Sequence, residues 1–201
     1  MSHSTELLEI NNSYEFIDVG QNQFGTTSSE RGNPVIKTFG LVGCAALALY
    51  DPEIRLGTLA HISPSVLMAQ KMQEHAASLR SRGNVNPDLV LQQLNKLFYS
   101  LEDNGSANAK YTNRGNLRAW FVCSYDELMQ GILQRVRSIG VNVEQEHTFK
   151  DEGITAVALD TSKGELFRLK PPVLTTLRMD SLDIMAAQAG NISRTADNRS
   201  L

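Results

Sequence analysis

The sequence has few cysteines and no long run of one charge, and each shortage excludes a class of function. Cys44 and Cys123 are the only cysteines among 201 residues, too few for a disulfide scaffold, which indicates a reducing compartment. With 19 basic and 22 acidic residues the formal charge is −3, and no basic stretch can neutralise a row of phosphates. We therefore expect no nucleic-acid partner, but a protein or a small molecule.

Segments that would cross or anchor in a membrane are also missing. The most apolar stretch, residues 39–50, is shorter than the roughly 20 residues that span a bilayer, and it ends at the turn signal Asp51-Pro52. The first dozen residues carry Glu6 and Glu9 and lack the basic and apolar regions of a secretory signal. We expect no membrane insertion and a cytoplasmic location, unless a secretion system that reads a polar terminus delivers the protein into a host cytosol.

Metal and nucleotide sites lack their usual motifs. The 4 histidines are scattered, and neither Cys-x-x-Cys nor His-Glu-x-x-His occurs. The segment from Gly40 to Cys44 has neither the Lys-Ser/Thr of a P-loop nor the third glycine of a dinucleotide fingerprint. We expect neither a metal nor a cofactor.

The order of predicted elements favours an α+β fold with layered mixed or antiparallel sheets flanked by helices. Residues 20–33 and 102–116 are polar and rich in Gly, Ser and Asn, and both are predicted to be loops. Helices are predicted to begin at Ser63-Pro64, at Asn86-Pro87 and at a capping box on Ser124, with a further helix over 177–189. Strands are predicted over residues 14–19, 55–62, 117–123, 141–144, 154–160 and 166–170. Residues 35–38 are predicted to be extended, and 39–50 is predicted to be a buried element that pairs with 55–62.

The length fits one domain, which we expect over residues 1–190. The polar residues 1–12 are expected to fray. Residues 191–201 are expected to form a disordered C-terminal tail.

Nucleophilic catalysis is the chemistry that the pattern leaves open, and it centres on Cys44. Gly40 and Gly43 permit a sharp turn before the cysteine, which can present both its thiol and its amide. The predicted turn at Asp51-Pro52 folds the strand carrying His61 back beside Cys44, and Thr38 can hydrogen-bond the imidazole. From the residues alone, a cysteine in an apolar run is more often a small core residue.

A resemblance to a known family adds to this. The segments 38–44 (TFGLVGC), 47–52 (LALYDP) and 57–61 (GTLAH) resemble the N-terminal half of the CheD family of chemoreceptor glutamine deamidases. The family pattern is a Thr, a Gly-Leu-Gly-Ser-Cys turn, an apolar strand ending in Tyr-Asp, and Gly-x-x-Ala-His. The spacings of Thr38, Cys44 and His61 match it without gaps. Residues 132–143 and 160–169 resemble the family's last helix and closing hairpin.

The resemblance implies a CheD-like fold and a cysteine-dependent amidohydrolase that converts glutamine to glutamate on a protein such as a chemoreceptor. It implies that Cys44 is the nucleophile, His61 its base and Thr38 the third polar member, without a cofactor. From the turn itself we expect Gly40 and Gly43 to help form the oxyanion site. A regulatory protein partner is also expected.

The chain also departs from the family. Val42 and Gly43 replace the family's Gly-Ser before the cysteine, and its Gly-Gly-Ala-x-x-Phe stretch has only a distant counterpart at 105–107. The segment 41–44 (LVGC) also resembles deamidase toxins related to cytotoxic necrotizing factor. Three alternatives therefore stay open: an effector that deamidates a host protein, a transglutaminase, and a catalytically silent binding module.

Other residues are assigned by position. Asn104, Gly105, Ser106 and Asn108 lie in the predicted loop over 102–116 and are candidates for contacting a protein substrate. Three more polar residues precede the Thr38 segment and are expected at the site entrance: Arg31, Asn33 and Lys37. Cys123 closes an apolar strand and is expected to be a core residue.

Overall fold

A computed structural model describes residues 8–9, 16–79, 88–123, 126–148 and 156–169 of the chain. Its helices are α1 (Pro64–Leu79), α2 (Leu89–Asp103) and α3 (Asp126–Ser138), with a short 3-10 helix at Tyr111–Asn116. Its strands are β1 (Leu8–Glu9), β2 (Phe16–Val19), β3 (Gln23–Ser28), β4 (Val35–Phe39), β5 (Ala45–Asp51), β6 (Leu56–Ile62), β7 (Arg118–Cys123), β8 (Val143–Thr148), β9 (Ala156–Asp160) and β10 (Glu165–Arg168).

The strands form two mixed sheets. One sheet has the order β1-β3-β6-β5-β7-β8 and the other the order β10-β9-β4-β2. The pairs β1–β3, β7–β8 and β2–β4 are parallel, and the remaining neighbours are antiparallel. The predicted α+β fold with layered mixed sheets and flanking helices is confirmed.

Strand β5 shows how the layers stack, because every one of its residues is buried. Its odd-numbered residues 45, 47 and 49 pack in one core cluster with buried side chains of α1, α2 and α3. Its even-numbered residues 46, 48 and 50 pack in a second cluster with side chains of the four-stranded sheet, such as Ile36 and Leu159. A strand covered on both faces reads as a continuous apolar run, as this one does.

One predicted loop is wrong over part of its length. Residues 23–28 of the stretch 20–33 form β3, which pairs antiparallel with β6 from Gln23↔His61 to Ser28↔Leu56. Its buried threonines are satisfied by hydrogen bonds outside the sheet ladder. Thr26 Oγ1 lies 2.8 Å from Ser100 Oγ, and Thr27 Oγ1 donates to the Asn33 carbonyl at 2.9 Å. These contacts permit a polar sequence to form an inner strand.

Three further predictions need correction. Helix α2 is capped by Asp88, whose carboxylate accepts the Leu91 N–H at 3.1 Å, and not by Asn86. The predicted loop over 102–116 contains the end of α2 and the 3-10 helix. In the stretch expected to fray, Leu8–Glu9 form the short strand β1.

Several predictions fall outside the described residues: the capping box at Ser124, the helix over 177–189, the domain end at residue 190 and the tail over 191–201. Among the described residues, no helix is long and apolar enough to span a membrane.

Candidate active site

Cys44 ends a tight turn between the two sheets. Gly40 and Gly43 have φ of +71° and +76°, in the left-handed region that favours glycine, so both turn positions require a residue without a Cβ atom. The Cys44 N–H donates to the Leu41 carbonyl at 3.0 Å, which closes the turn. Leu41 is fully buried in the core between the sheets, whereas the Val42 side chain is 77% exposed.

His61 lies on the same face of the six-stranded sheet as Cys44. The register pairs Ala46 of β5 directly with His61 of β6, and directly opposed residues share a face. Cys44 precedes Ala46 by two residues and packs in the same core cluster, which lies between the sheets. Cysteine and histidine are thus diagonal neighbours across the β5–β6 pair, a relation that places Cα atoms about 7–8 Å apart.

Thr38 of the other sheet fixes the proton on the imidazole. Its Oγ1 donates to the Val19 carbonyl at 2.7 Å and lies 2.8 Å from His61 Nδ1. A hydroxyl carries one hydrogen, and a carbonyl only accepts, so that hydrogen is committed to Val19. The Thr38 oxygen must therefore accept from a protonated Nδ1, which leaves Nε2 of the neutral ring as an unprotonated acceptor.

Nε2 of His61 is correspondingly unoccupied. It is the buried side-chain nitrogen or oxygen that lacks a hydrogen-bond partner among the described residues. Such an atom in a native interior calls for a functional explanation. An unprotonated nitrogen on the sheet face that also carries a thiol has the chemistry of a general base.

The electrostatics of the site favour neutral groups. Burial lowers the pKa of His61 from 6.5 to about 4, and burial raises the pKa of the Cys44 thiol above its ordinary value. At neutral pH the pair is therefore a thiol and a neutral imidazole, not a thiolate and an imidazolium. Proton transfer from sulfur to Nε2 must accompany attack on a substrate, and catalytic hydrogen bonds often tighten only when substrate binds.

The turn between β2 and β3 also reaches this site, although no motif in the sequence predicts a role for it. Gln21, an exposed residue, places its side-chain Nε2 3.9 Å from Cys44 Sγ, within the range of a weak N–H to sulfur contact. The next residue, Asn22, is buried and donates its backbone N–H to the His61 carbonyl at 2.8 Å. In the sequence, the polar residues Gly-Gln-Asn at 20–22 predict a turn but not its position beside Cys44.

The predicted substrate loop lies at the opposite end of β5. Ser106 and Asn108 are buried and donate to the Asp51 carboxylate, Ser106 at 2.6 Å and Asn108 at 3.2 Å. Asp51 is seven residues from Cys44 along the chain, about 23 Å at the usual rise of a strand. Asn104 and Gly105 line a cavity of about 740 Å³ beside Arg55. The structure thus does not bring this loop to the cysteine.

The expected entrance residues are also dispersed. Arg31 hydrogen-bonds Asn104, and Asn33 accepts from Thr27, so both belong to other contacts. Lys37 lies one residue before Thr38 on β4 but forms an ion pair with Asp18 at 3.4 Å, with its ammonium 3.2 Å from the Phe16 ring centre.

Cys123 cannot pair with Cys44. Its strand register places it opposite Ala45, and it packs in the helix-side cluster, on the other face of the sheet. It is buried, as expected of a core residue.

Within the described residues, no group of three or more His, Cys, Asp or Glu side chains is arranged to hold a metal ion.

Comparison with known proteins gives a short match. No family model matches the chain. A segment of 28 residues is 61% identical to the probable chemoreceptor glutamine deamidase CheD of Archaeoglobus fulgidus, covering 14% of this chain and 18% of that protein. The chain thus matches less than a fifth of this relative's length.

A solved structure, the Bacillus licheniformis hypothetical protein YfiH, overlaps 65% of this chain and 49% of its own at 10% identity and a TM-score of 0.33, too weak a likeness to carry an argument. Neither protein is described as a toxin, so the resemblance to deamidase toxins gains no support. The chain therefore shares a short CheD-like segment.

Proposed function

We propose that this protein is a cysteine-dependent protein-glutamine deamidase in which Cys44 is the nucleophile, His61 the general base and Thr38 the residue that holds the imidazole. The observation that carries the proposal is the free Nε2 of His61, buried on the same sheet face as Cys44, with its tautomer fixed through Thr38. The short identity with CheD supports a glutamine on a chemoreceptor-like protein as the substrate.

The reaction begins with transfer of the Cys44 proton to His61 Nε2 as sulfur attacks the carboxamide carbon. A carbon–sulfur bond forms, and the electron pair of the C=O bond moves to oxygen. The tetrahedral intermediate collapses when the C–N bond breaks and the nitrogen takes the proton from Nε2, which releases ammonia. The glutamine side chain is then held as a thioester.

Water completes the cycle. It attacks the thioester while giving a proton to Nε2, and the carbon–sulfur bond breaks as the sulfur recovers that proton. The products are glutamate and ammonium, because the glutamic acid that forms gives its proton to ammonia in solution, and both active-site groups return to their neutral forms. A primary amine in place of water would give transglutamination by the same steps.

The test uses wild type, Cys44→Ser and the matched control Cys123→Ser. Each is incubated with chemoreceptor cytoplasmic fragments, and glutamine-to-glutamate conversion is followed by peptide mass spectrometry together with ammonia release. We expect conversion by wild type and Cys123→Ser and a loss of at least about 10³-fold in Cys44→Ser. Conversion at the wild-type rate in Cys44→Ser would remove the nucleophile assignment. Adding a primary amine separates deamidation from transglutamination.

One observation favours a second candidate, a silent binding module: Cys44 is only 5% exposed. That function predicts stable capture of the receptor fragment with no chemical change in any of the three proteins. The same incubation therefore distinguishes the two functions.

A further inference from the structure

The deamidase reaction needs hydrogen-bond donors for the oxygen that becomes negative in the tetrahedral intermediate. The predicted donors are the backbone amides near Gly43 and Cys44, in the turn that Gly40 and Gly43 form. In the structure the Cys44 N–H is already bound to the Leu41 carbonyl at 3.0 Å. Using it for an oxyanion would require the turn to open, which gives a side-chain donor near the sulfur a role.

From this geometry we infer that the Gln21 side-chain amide is an oxyanion donor, an inference that rests on the proposed deamidase function. Its Nε2 lies 3.9 Å from Cys44 Sγ, the atom that bonds to the substrate carbon. An oxygen on that carbon is two bonds from the sulfur, so a donor at this distance can come within about 3 Å of it. The amide carries two N–H groups and no charge, which suits the developing oxyanion of a neutral substrate.

The backbone around Gln21 is built to hold this position. Asn22 adopts a left-handed conformation, with φ of +57°, and its side-chain Oδ1 accepts the Ser63 N–H at 3.0 Å. Its own N–H donates to the His61 carbonyl at 2.8 Å. Positive φ costs a non-glycine residue free energy and persists where its surroundings require it. These two hydrogen bonds of Asn22 hold the turn against the end of β6, the strand that carries His61.

The same turn follows Val19, whose carbonyl accepts a hydrogen bond from the Thr38 hydroxyl. Residues 19–22 therefore contact the nucleophile, the strand of the base and the residue that sets the base's tautomer. This convergence is why we assign the glutamine to the reaction and not to the exposed surface.

The chemical step is the attack already described, in which the electron pair of the C=O bond moves to oxygen. The Gln21 N–H donates to that oxygen while the charge is present and releases it when the C=O bond re-forms. No proton is transferred to or from Gln21. Its effect therefore falls on acyl transfer and not on reactions of the thiol that create no oxyanion.

The test compares two reactions of Cys44 in wild type and Gln21→Met, a change that removes the donors at similar length without adding charge. Acyl transfer from p-nitrophenyl acetate passes through an oxyanion, and alkylation by iodoacetamide does not. Gln92→Met, at an exposed site on α2, is the matched control. We expect acyl transfer to be roughly 10²–10³-fold slower in Gln21→Met than in wild type. We expect iodoacetamide to alkylate Cys44 of this variant at nearly the wild-type rate.

Three outcomes would overturn the inference: equal slowing of both reactions, acyl transfer unchanged in Gln21→Met, or no acyl transfer by wild type at Cys44. Melting temperatures identify any variant that is misfolded, and retained alkylation with lost acyl transfer supports the inference even if stability falls. If wild type shows Gln21-dependent acyl transfer but deamidates no receptor fragment, the substrate assignment fails and the oxyanion role stands. If wild type and Gln21→Met deamidate equally, the oxyanion role fails alone.

Discussion

Acid should destabilise this protein through one buried imidazole. Burial lowers the pKa of His61 from 6.5 to about 4, so the folded protein leaves the ring neutral while the unfolded chain takes up a proton below about pH 6.5. The stability that depends on this group is complete above about pH 6.5 and is lost as the pH falls toward 4. At about 1.4 kcal/mol per pH unit, the interval corresponds to about 3 kcal/mol.

The assay is urea unfolding of wild type and His61→Gln at a series of pH values from about 7 to about 4. Other groups titrate equally in both proteins, so the difference between the two curves isolates His61. We expect wild type to lose about 3 kcal/mol more than the variant across this range. His75→Gln, which changes an exposed histidine of α1, should follow the wild-type curve. Parallel curves for wild type and His61→Gln would refute the reasoning.

Three further predictions need no substrate. Nitrogen-15 NMR at neutral pH should show His61 protonated at Nδ1 in wild type and Thr38→Ser, and a mixture of tautomers in Thr38→Val; a wild-type ring protonated at Nε2 would contradict the hydrogen-bond assignment. Asp51→Ala should cost roughly 2–4 kcal/mol of unfolding free energy by denaturant titration, because buried donors such as Ser106 lose their acceptor, with Cys44 alkylation unchanged. Gly43→Ala, with open space around the added methyl but φ of +76°, should cost about 1–2 kcal/mol in the same titration, and no loss would argue against the left-handed turn.

The parts of the fold that could be predicted are those whose pattern reflects local geometry. The apolar run before Asp51-Pro52 and the strand after it form the β5–β6 hairpin. All residues of both strands are buried, and the continuous apolar sequence of β5 is typical of a strand covered on both faces. Between the predicted strands over 154–160 and 166–170, residues 161–164 form the turn that joins β9 to β10, with Gly164 at φ of +65°. In both places the residues that set the structure are adjacent in the chain.

Strand β3 could not be predicted because its stability comes from distant partners. Its sequence, Gln-Phe-Gly-Thr-Thr-Ser, has the composition of a loop. It is a strand because β6 pairs with it along six residues and because Ser100 of α2 lies 2.8 Å from the Thr26 hydroxyl. The pattern of apolar and polar residues within the segment does not predict these contacts.

The candidate site divides in the same way. The Cys44 turn follows from its two glycines, and the shared face of Cys44 and His61 follows from one hairpin, so both can be inferred from the chain. The loop at 104–108 was assigned to the substrate because polar loops often bind ligands, but its buried side chains are donors to Asp51 at the far end of β5. Nothing in a loop's composition reveals which end of a sheet it joins.

The strand β3 and the position of Gln21 are therefore unpredictable from the sequence for the same reason. When β3 is read as a loop, the turn before it has no fixed position, and a glutamine 23 residues from the cysteine has no reason to be near it. Once β3 pairs with β6, its first residue Gln23 lies opposite His61, and the preceding turn must lie at the end of the sheet where Cys44 begins β5. A site whose thiol and imidazole are both neutral at rest depends on groups that stabilise charge only as it develops. The uncharged amide of Gln21 fits that requirement, and a fixed cation beside Cys44 would instead favour a standing thiolate.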